Sequence, residues 1–79
     1  VLINVEVPHS GGVKETIMNS RELAEAVKNE EAALNGEGRV LVRASGTEAL
    51  IRVMVEAKTD EIAKKTADSL VSLIKSLKF

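Results

Sequence analysis

The 79-residue sequence contains no cysteine, tryptophan or tyrosine, and it has only one proline, one phenylalanine and one histidine. Without cysteine the chain can form no disulfide, no thiolate metal site and no cysteine nucleophile. The lone histidine, His9, excludes a histidine cluster around a metal. Because nucleobases stack on aromatic side chains, the scarcity of these side chains argues against a protein that binds single-stranded nucleic acid.

The sequence also has no large excess of charge of either sign and no long apolar run. Lysine and arginine together number 11 and aspartate and glutamate 12, for a net charge of −1, whereas nucleic-acid-binding domains usually carry a basic excess. No apolar run approaches the roughly 20 residues that span a bilayer. The sequence therefore predicts that the protein binds neither nucleic acid nor a membrane.

What is present is the composition of a soluble globular domain, with 44% hydrophobic and 29% charged residues. The length leaves room for one domain over residues 1–79. The chain opens on Val1, directly in a strand-like run, and we interpret it as a piece of a longer protein.

The first residues predict a strand. Residues 1–7 alternate for most of their length and are rich in valine and isoleucine, which favours a half-buried strand. Pro8 ends the strand because proline cannot donate to a ladder. Residues 10–12, with two glycines, are typical of a flexible turn. The pattern leaves open whether residues 8–17 add another strand.

A helix is predicted over residues 20–34 from the helical spacing of its apolar positions. Asn19 is the candidate N-cap, with Glu22 at the reciprocal position of a capping box, and Asn35-Gly36 ends the helix. Glu30-Glu31 resembles a pair of carboxylates, but neighbouring residues point apart on a helix, so we interpret both as solvated.

The second half predicts two strands and a helix. Residues 39–43 and 50–57 form the strands, and residues 44–49 between them have the length of a short hairpin loop. Thr59 is a good N-cap for the last helix, whose apolar positions recur every three or four residues and whose final turn carries Lys75 and Lys78. The order β-α-β-β-α predicts an α+β fold, a mostly antiparallel sheet with two helices on one face.

The loop between the last two strands carries the chemistry. An oxyanion such as phosphate needs short donors that converge on one point and positive charge nearby. Arg43 and Arg52 offer permanently charged planar forks, and an antiparallel hairpin brings both near the loop. Ser45 and Thr47 each offer a hydroxyl, while Gly46 can adopt a positive φ and exposes its N–H without a Cβ.

Plainer interpretations remain open for these residues. Ser-Gly-Thr is ordinary turn chemistry, and an arginine at a strand end is often only solvated. Glu48 argues against a simple anion trap, and we interpret its carboxylate as a partner that holds one of the arginines in position. His9, beside Pro8, is interpreted as a solvated loop residue.

The stretch GRVLVRASGTEALIRVMVEA at residues 38–57 resembles the C-terminal domain of the bacterial phosphoglucosamine mutases, in the α-D-phosphohexomutase superfamily. The preceding strand and helix and the final helix fit that domain, so the resemblance covers essentially the whole chain. It implies a TBP-like fold and a cytoplasmic four-domain enzyme that interconverts glucosamine 6-phosphate and glucosamine 1-phosphate through a 1,6-bisphosphate.

The same resemblance implies that Mg²⁺ and a phosphoserine, both in the earlier domains, perform the transfer. The C-terminal domain then holds no metal, cofactor or catalytic residue. It grips the non-reacting phosphate of the phosphosugar and closes over the cleft formed with the other three domains. The family's phosphate ligands fall on Arg43, Ser45, Gly46, Thr47 and Arg52.

Two positions depart from the family pattern, because Ala44 and Ala49 stand where prolines are common. Neither ring would bind phosphate, but proline reduces the freedom of an unliganded loop. Gly46 favours the glucosamine branch, since the phosphomannomutase/phosphoglucomutase branch usually has asparagine there. The alternatives are the C-terminal domain of such a phosphohexomutase, a non-enzymatic α+β binding module, and a structural domain whose arginines pair with carboxylates at an interface.

Overall fold

The computed structural model describes residues 1–8 and 12–77. Its elements are β1 (Leu2–Glu6), α1 (Val13–Met18), α2 (Arg21–Ala33), β2 (Arg39–Ala44), β3 (Leu50–Glu56) and α3 (Asp60–Ser76). The predicted α+β class and the order of the strands and the two longer helices are confirmed, and the short helix α1 is added to them. The predictions for His9, for residues 10 and 11 and for Lys78 lie outside the described residues.

The strands form one antiparallel sheet in the order β1-β3-β2, so that β3 is the central strand. Successive side chains of a strand point to opposite faces. Along β3, Ile51, Val53 and Val55 are fully buried, whereas Arg52 and Glu56 are exposed. The sheet therefore has a covered face and an open face, the latter being the one that carries Arg52 and Glu56.

The core lies between the covered face and the helices. Helix α3 contacts β1 and β3, while α2 contacts β2 and α3. The core comprises Val5, Ile17, Leu23, Leu34, Val40, Ile51, Val53, Val55, Ala63, Ala67, Leu70 and Ile74. Burying an aliphatic side chain of the larger kinds contributes about 1.5–3 kcal/mol, so this cluster holds the hairpin β2–β3 firmly from one side.

Helix α1 is the element that the sequence pattern missed. Residues 13–18 are helical, which answers the open question about a further strand for the described part of that segment. The helix has six residues and buries only Ile17, which is 2% exposed. A single apolar anchor gives no periodicity, so a helix this short cannot be recognised from spacing.

The start of α2 corrects the predicted cap. Ser20, not Asn19, is the N-cap: its backbone is extended and its hydroxyl oxygen accepts from the Leu23 N–H at 3.2 Å. Asn19 instead ends α1, where its N–H donates to the Glu15 carbonyl at 3.0 Å. With Ser20 as the cap, Glu22 is the second helical residue and no longer the capping-box partner, which is the third.

The other helix ends follow the sequence. Beyond α2, Asn35 has φ of 53° and Gly36 has φ of 77°, the left-handed backbone that terminates helices. The Thr59 hydroxyl oxygen accepts from the Ile62 N–H at 3.2 Å and caps α3 as predicted. Over the residues that the structure describes, no helix is both long enough and apolar enough to cross a membrane.

Two contacts position β2 in the sheet, one with Glu31 at the outer edge of the strand and one between Gly38 and the neighbouring strand β3. The Glu31 carboxylate accepts from the Val40 N–H at 3.1 Å, so Glu31 is not merely solvated as expected. Gly38 meets the end of β3: a Cβ there would overlap the Glu56 carbonyl oxygen and lie 2.9 Å from Ala57 Cα. Both contacts fix how β2 enters the sheet and hence where its loop end lies.

Candidate functional site

The hairpin β2–β3 presents its loop, residues 45–49, at one end of the sheet. The Ser45 N–H donates to the Leu50 carbonyl at 2.9 Å and closes the loop. On the other side of the loop, the Val7 N–H donates to the Ala49 carbonyl at 2.9 Å. The predicted hairpin is therefore confirmed, and its tip is anchored at both ends while Gly46 and Thr47 are exposed.

Arg43 and Arg52 are direct cross-strand partners. Pairs in an antiparallel ladder alternate between hydrogen-bonded and non-hydrogen-bonded types. Ser45 and Leu50 form a hydrogen-bonded pair, so Arg43 and Arg52, two residues further along, form one too. Their Cα atoms are then about 5.5 Å apart and both exposed side chains leave the open face.

At the opposite end of the same ladder, the arginine has a carboxylate opposite it, which Arg43 and Arg52 do not have. Arg39 lies opposite Glu56, and their side chains form an ion pair at 3.2 Å. Within the described ranges 1–8 and 12–77, no carboxylate forms an ion pair with Arg43 or Arg52. Like charges placed directly opposite destabilise a sheet, and an anion bound between them would remove that repulsion.

The Ser45 side chain shapes the turn. Its hydroxyl oxygen accepts from the Glu48 N–H at 3.2 Å. A serine hydroxyl that accepts one hydrogen bond still has its own hydrogen to donate. Ser45 can therefore hold the loop and donate to an anion at the same time.

Gly46 and Thr47 form the exposed tip. Gly46 does not use the positive φ that was open to it, and a Cβ there would have nothing within 4 Å. No acceptor for the N–H of Gly46 or of Thr47 is found among the described residues. The glycine is thus not required by the backbone, and what it provides is free space beside an available donor.

Glu48 contributes through its backbone. Its N–H reaches Ser45, as above, and its carbonyl accepts from the Lys14 ammonium at 3.2 Å. In the described part of the chain its carboxylate forms no ion pair with either arginine. That its carboxylate positions an arginine stays a prediction.

Lys14 is the residue that sequence reasoning missed. Its ammonium donates to the Ser45 carbonyl at 2.5 Å and to the Glu48 carbonyl at 3.2 Å. These contacts join residues 31 and 34 positions apart in the chain. No local sequence pattern predicts these two contacts, because they depend on where α1 packs, and α1 itself was not predicted.

The described residues were compared with the grouping of side chains that a metal ion needs. Among residues 1–8 and 12–77, no three histidine, cysteine, aspartate or glutamate side chains are grouped so that they could hold an ion. The loop end of the hairpin presents N–H donors from the loop and two guanidinium groups from the flanking strands, and groups of these types pair with anions.

The chain was compared with the profiles of known protein families. The profile of the family described as "Phosphoglucomutase/phosphomannomutase, C-terminal domain" matches residues 2–73. That match includes the whole sheet and the loop with both arginines.

Three curated relatives share the name phosphoglucosamine mutase. The chain is 49% identical over 74 residues to a phosphoglucosamine mutase of Shouchella clausii, covering 94% of this chain and 16% of the relative. It is 50% identical over 76 residues to the phosphoglucosamine mutase of Caldicellulosiruptor saccharolyticus, covering 96% and 16%. For the phosphoglucosamine mutase of Saccharopolyspora erythraea the figures are 45% over 78 residues, 99% and 17%. The chain thus spans about one sixth of the length of these relatives.

Proposed function

The chain belongs to the phosphoglucomutase/phosphomannomutase C-terminal domain family, and on that premise we propose that it is the phosphate-gripping domain of a phosphoglucosamine mutase. The parent enzyme interconverts glucosamine 6-phosphate and glucosamine 1-phosphate through a 1,6-bisphosphate. In this proposal Arg43, Ser45, Gly46, Thr47 and Arg52 bind the phosphate that is not reacting.

The observation that carries the proposal is the pairing of Arg43 with Arg52 beside a tip whose donors are available. Two guanidinium groups on neighbouring strands suit a dianion, because each can donate two parallel hydrogen bonds to phosphate oxygens. The Ser45 hydroxyl and the N–H groups of Gly46 and Thr47 lie at the end of the same hairpin. Among the described residues, the two N–H groups have no acceptor and neither arginine forms an ion pair with a carboxylate.

The shape of the loop suits a mutase. Each half of the reaction presents a different phosphate of the sugar to the reacting centre, so the other phosphate must be held in either of two sugar orientations. An open tip that grips phosphate and ignores the ring permits this, whereas a deep sugar-specific pocket would obstruct it. Mg²⁺ and a phosphoserine, which supply the transfer itself, belong in this proposal to the other three domains.

Two finer points complete the proposal. Gly46 and the shared name of the curated relatives favour glucosamine phosphate over the substrates of the other phosphohexomutases. In the parent enzyme this domain is the last of four and closes over the cleft that the domains form. The proposed enzyme works in the cytoplasm.

A titration of the 15N-labelled chain with glucosamine 6-phosphate tests the proposal. Because the loop faces water, we expect weak binding, with a Kd on the order of millimolar, or about 4 kcal/mol. The amides of Gly46 and Thr47 should shift on binding, and Arg43→Ala should abolish the shifts. Arg39→Ala is the matched control, since Arg39 lies on the same face but pairs with Glu56. Unmoved amides at high ligand concentration contradict the proposal.

A further inference from the structure

The ammonium of Lys14 bridges the two ends of the loop tip. It donates to the carbonyl that precedes Gly46 and to the carbonyl of Glu48, three residues on. The Lys14 side chain comes from α1, and α1 is fixed to the body of the fold by Ile17, which is 2% exposed in the core. The tip is therefore tied to the core by one side chain.

This tie sets the direction of a donor. The carbonyl of Ser45 and the N–H of Gly46 belong to one peptide unit, which is planar and trans. In such a unit the two groups point in opposite directions. Since Lys14 holds the Ser45 carbonyl, the Gly46 N–H must point away from α1, where a ligand can reach it.

The tie also strengthens that donor. A hydrogen bond from a charged group to a carbonyl polarises the peptide unit, and the N–H at its other end becomes a better donor. Lys14 is moreover a third cation beside the loop, with Arg43 and Arg52.

We propose that Lys14 is a positioning residue for phosphate: it clamps the Ser45 and Glu48 carbonyls, so that the loop presents its N–H groups to the anion before the anion arrives. Arg43 and Arg52 contact the phosphate, and Lys14 acts through the backbone. The proposal rests on the proposed function, because a loop that binds no phosphate has nothing to preorganise.

The test compares three substitutions in the 79-residue chain by amide NMR, first without ligand and then with inorganic phosphate at constant ionic strength. Lys14→Met keeps the aliphatic stem and removes the donors, and Lys14→Arg keeps the charge and donors. Lys64→Met, on the exposed side of α3, removes the same charge elsewhere. Thermal unfolding of each variant accompanies the titration.

We expect Lys14→Met to weaken phosphate binding about tenfold, the worth of one charge-assisted hydrogen bond. It should also shift the amides of residues 45–49 and speed their hydrogen exchange before phosphate is added. Lys14→Arg and Lys64→Met should stay within about twofold of the unsubstituted chain. The ligand-free shifts are the signature of a positioning role, because a residue that only touched phosphate would leave the empty loop unchanged.

Three results overturn the clamp. The first is that Lys14→Met binds phosphate as tightly as the unsubstituted chain does. The second is that Lys14→Met and Lys64→Met weaken phosphate binding equally, which indicates an effect of net charge alone. The third is that Lys14→Met weakens binding while the ligand-free amide signals of the loop stay in place, which makes Lys14 a direct ligand. If the unsubstituted chain itself shows no response to phosphate or to glucosamine 6-phosphate, the proposed function fails, and this proposal fails with it.

Discussion

Arg43 on β2 lies directly opposite Arg52 on β3, on the open face of the sheet. Four residues back along the same ladder, Arg39 lies opposite Glu56 and forms an ion pair with it. One hairpin thus holds a satisfied charge pair at one end and two like charges at its loop end. Repulsion between cross-strand neighbours of like charge lowers the stability of the fold, and an anion bound between the two arginines would offset that loss.

Replacing one of the two like charges should therefore raise stability and lower phosphate binding together. Arg52→Glu creates an opposite-charge pair with Arg43, and we expect a gain of about 0.5 kcal/mol in the free energy of unfolding. Binding of glucosamine 6-phosphate should be lost. Urea unfolding and the amide titration measure the two effects. The mirror variant Glu56→Arg should lose a similar free energy, and a loss of stability in Arg52→Glu would speak against the repulsion.

Two glycines should respond to alanine in opposite ways. Gly38→Ala places a Cβ against the backbone at Glu56 and Ala57, so we expect it to lower the free energy of unfolding by about 2 kcal/mol. Gly46→Ala meets no atom within 4 Å and should leave stability nearly unchanged. Its methyl group occupies the space beside the donor, however, and should weaken phosphate binding. Equal stability losses in the two variants would contradict this distinction.

The contact between Glu31 and Val40 gives a third prediction. Val40 is 5% exposed, and removing the carboxylate leaves its N–H without the acceptor at 3.1 Å. Glu31→Ala should therefore lower the free energy of unfolding by about 1 kcal/mol. Glu30→Ala, its neighbour on α2, is the matched control and should change stability little. Chemical denaturation of both variants, read by circular dichroism, decides between them.

The chain alone should show no mutase activity. If the transfer belongs to the other domains, glucosamine 6-phosphate should persist in the presence of the purified chain, with Mg²⁺ and without it. A coupled assay for glucosamine 1-phosphate measures this. Any turnover that scales with chain concentration would mean that the chemistry lies here after all.

The full-length enzyme supplies the complementary measurement. Arg43→Ala should raise the KM and lower kcat/KM, because it removes an interaction with bound phosphate. Arg39→Ala serves as the control, with kinetic constants close to those of the unsubstituted enzyme. An unchanged KM for Arg43→Ala would favour the structural alternative, in which the arginines pair with carboxylates at an interface.

Much of the fold could be predicted because its determinants are local. The alternation along β3 and the apolar stripe of α3 each place their residues on one face by geometry alone. Thr59 and Asn35-Gly36 mark helix ends through their own backbone preferences. The predicted N-cap of α2 was wrong by one residue. Asn19 and Ser20 are both good N-caps, and which of them caps the helix depends on where α1 ends.

The sequence by itself determined the strands, the two long helices and the hairpin that carries Arg43 and Arg52, since each follows from residues close together in the chain. Only the tertiary structure decided that Lys14 reaches the loop, that Glu31 closes the edge of β2 and that Gly38 must lack a side chain. These contacts join segments that the packing of α1, α2 and the sheet brings together. Contacts of that kind leave no periodic trace in a sequence, because folding alone sets the distance between their partners.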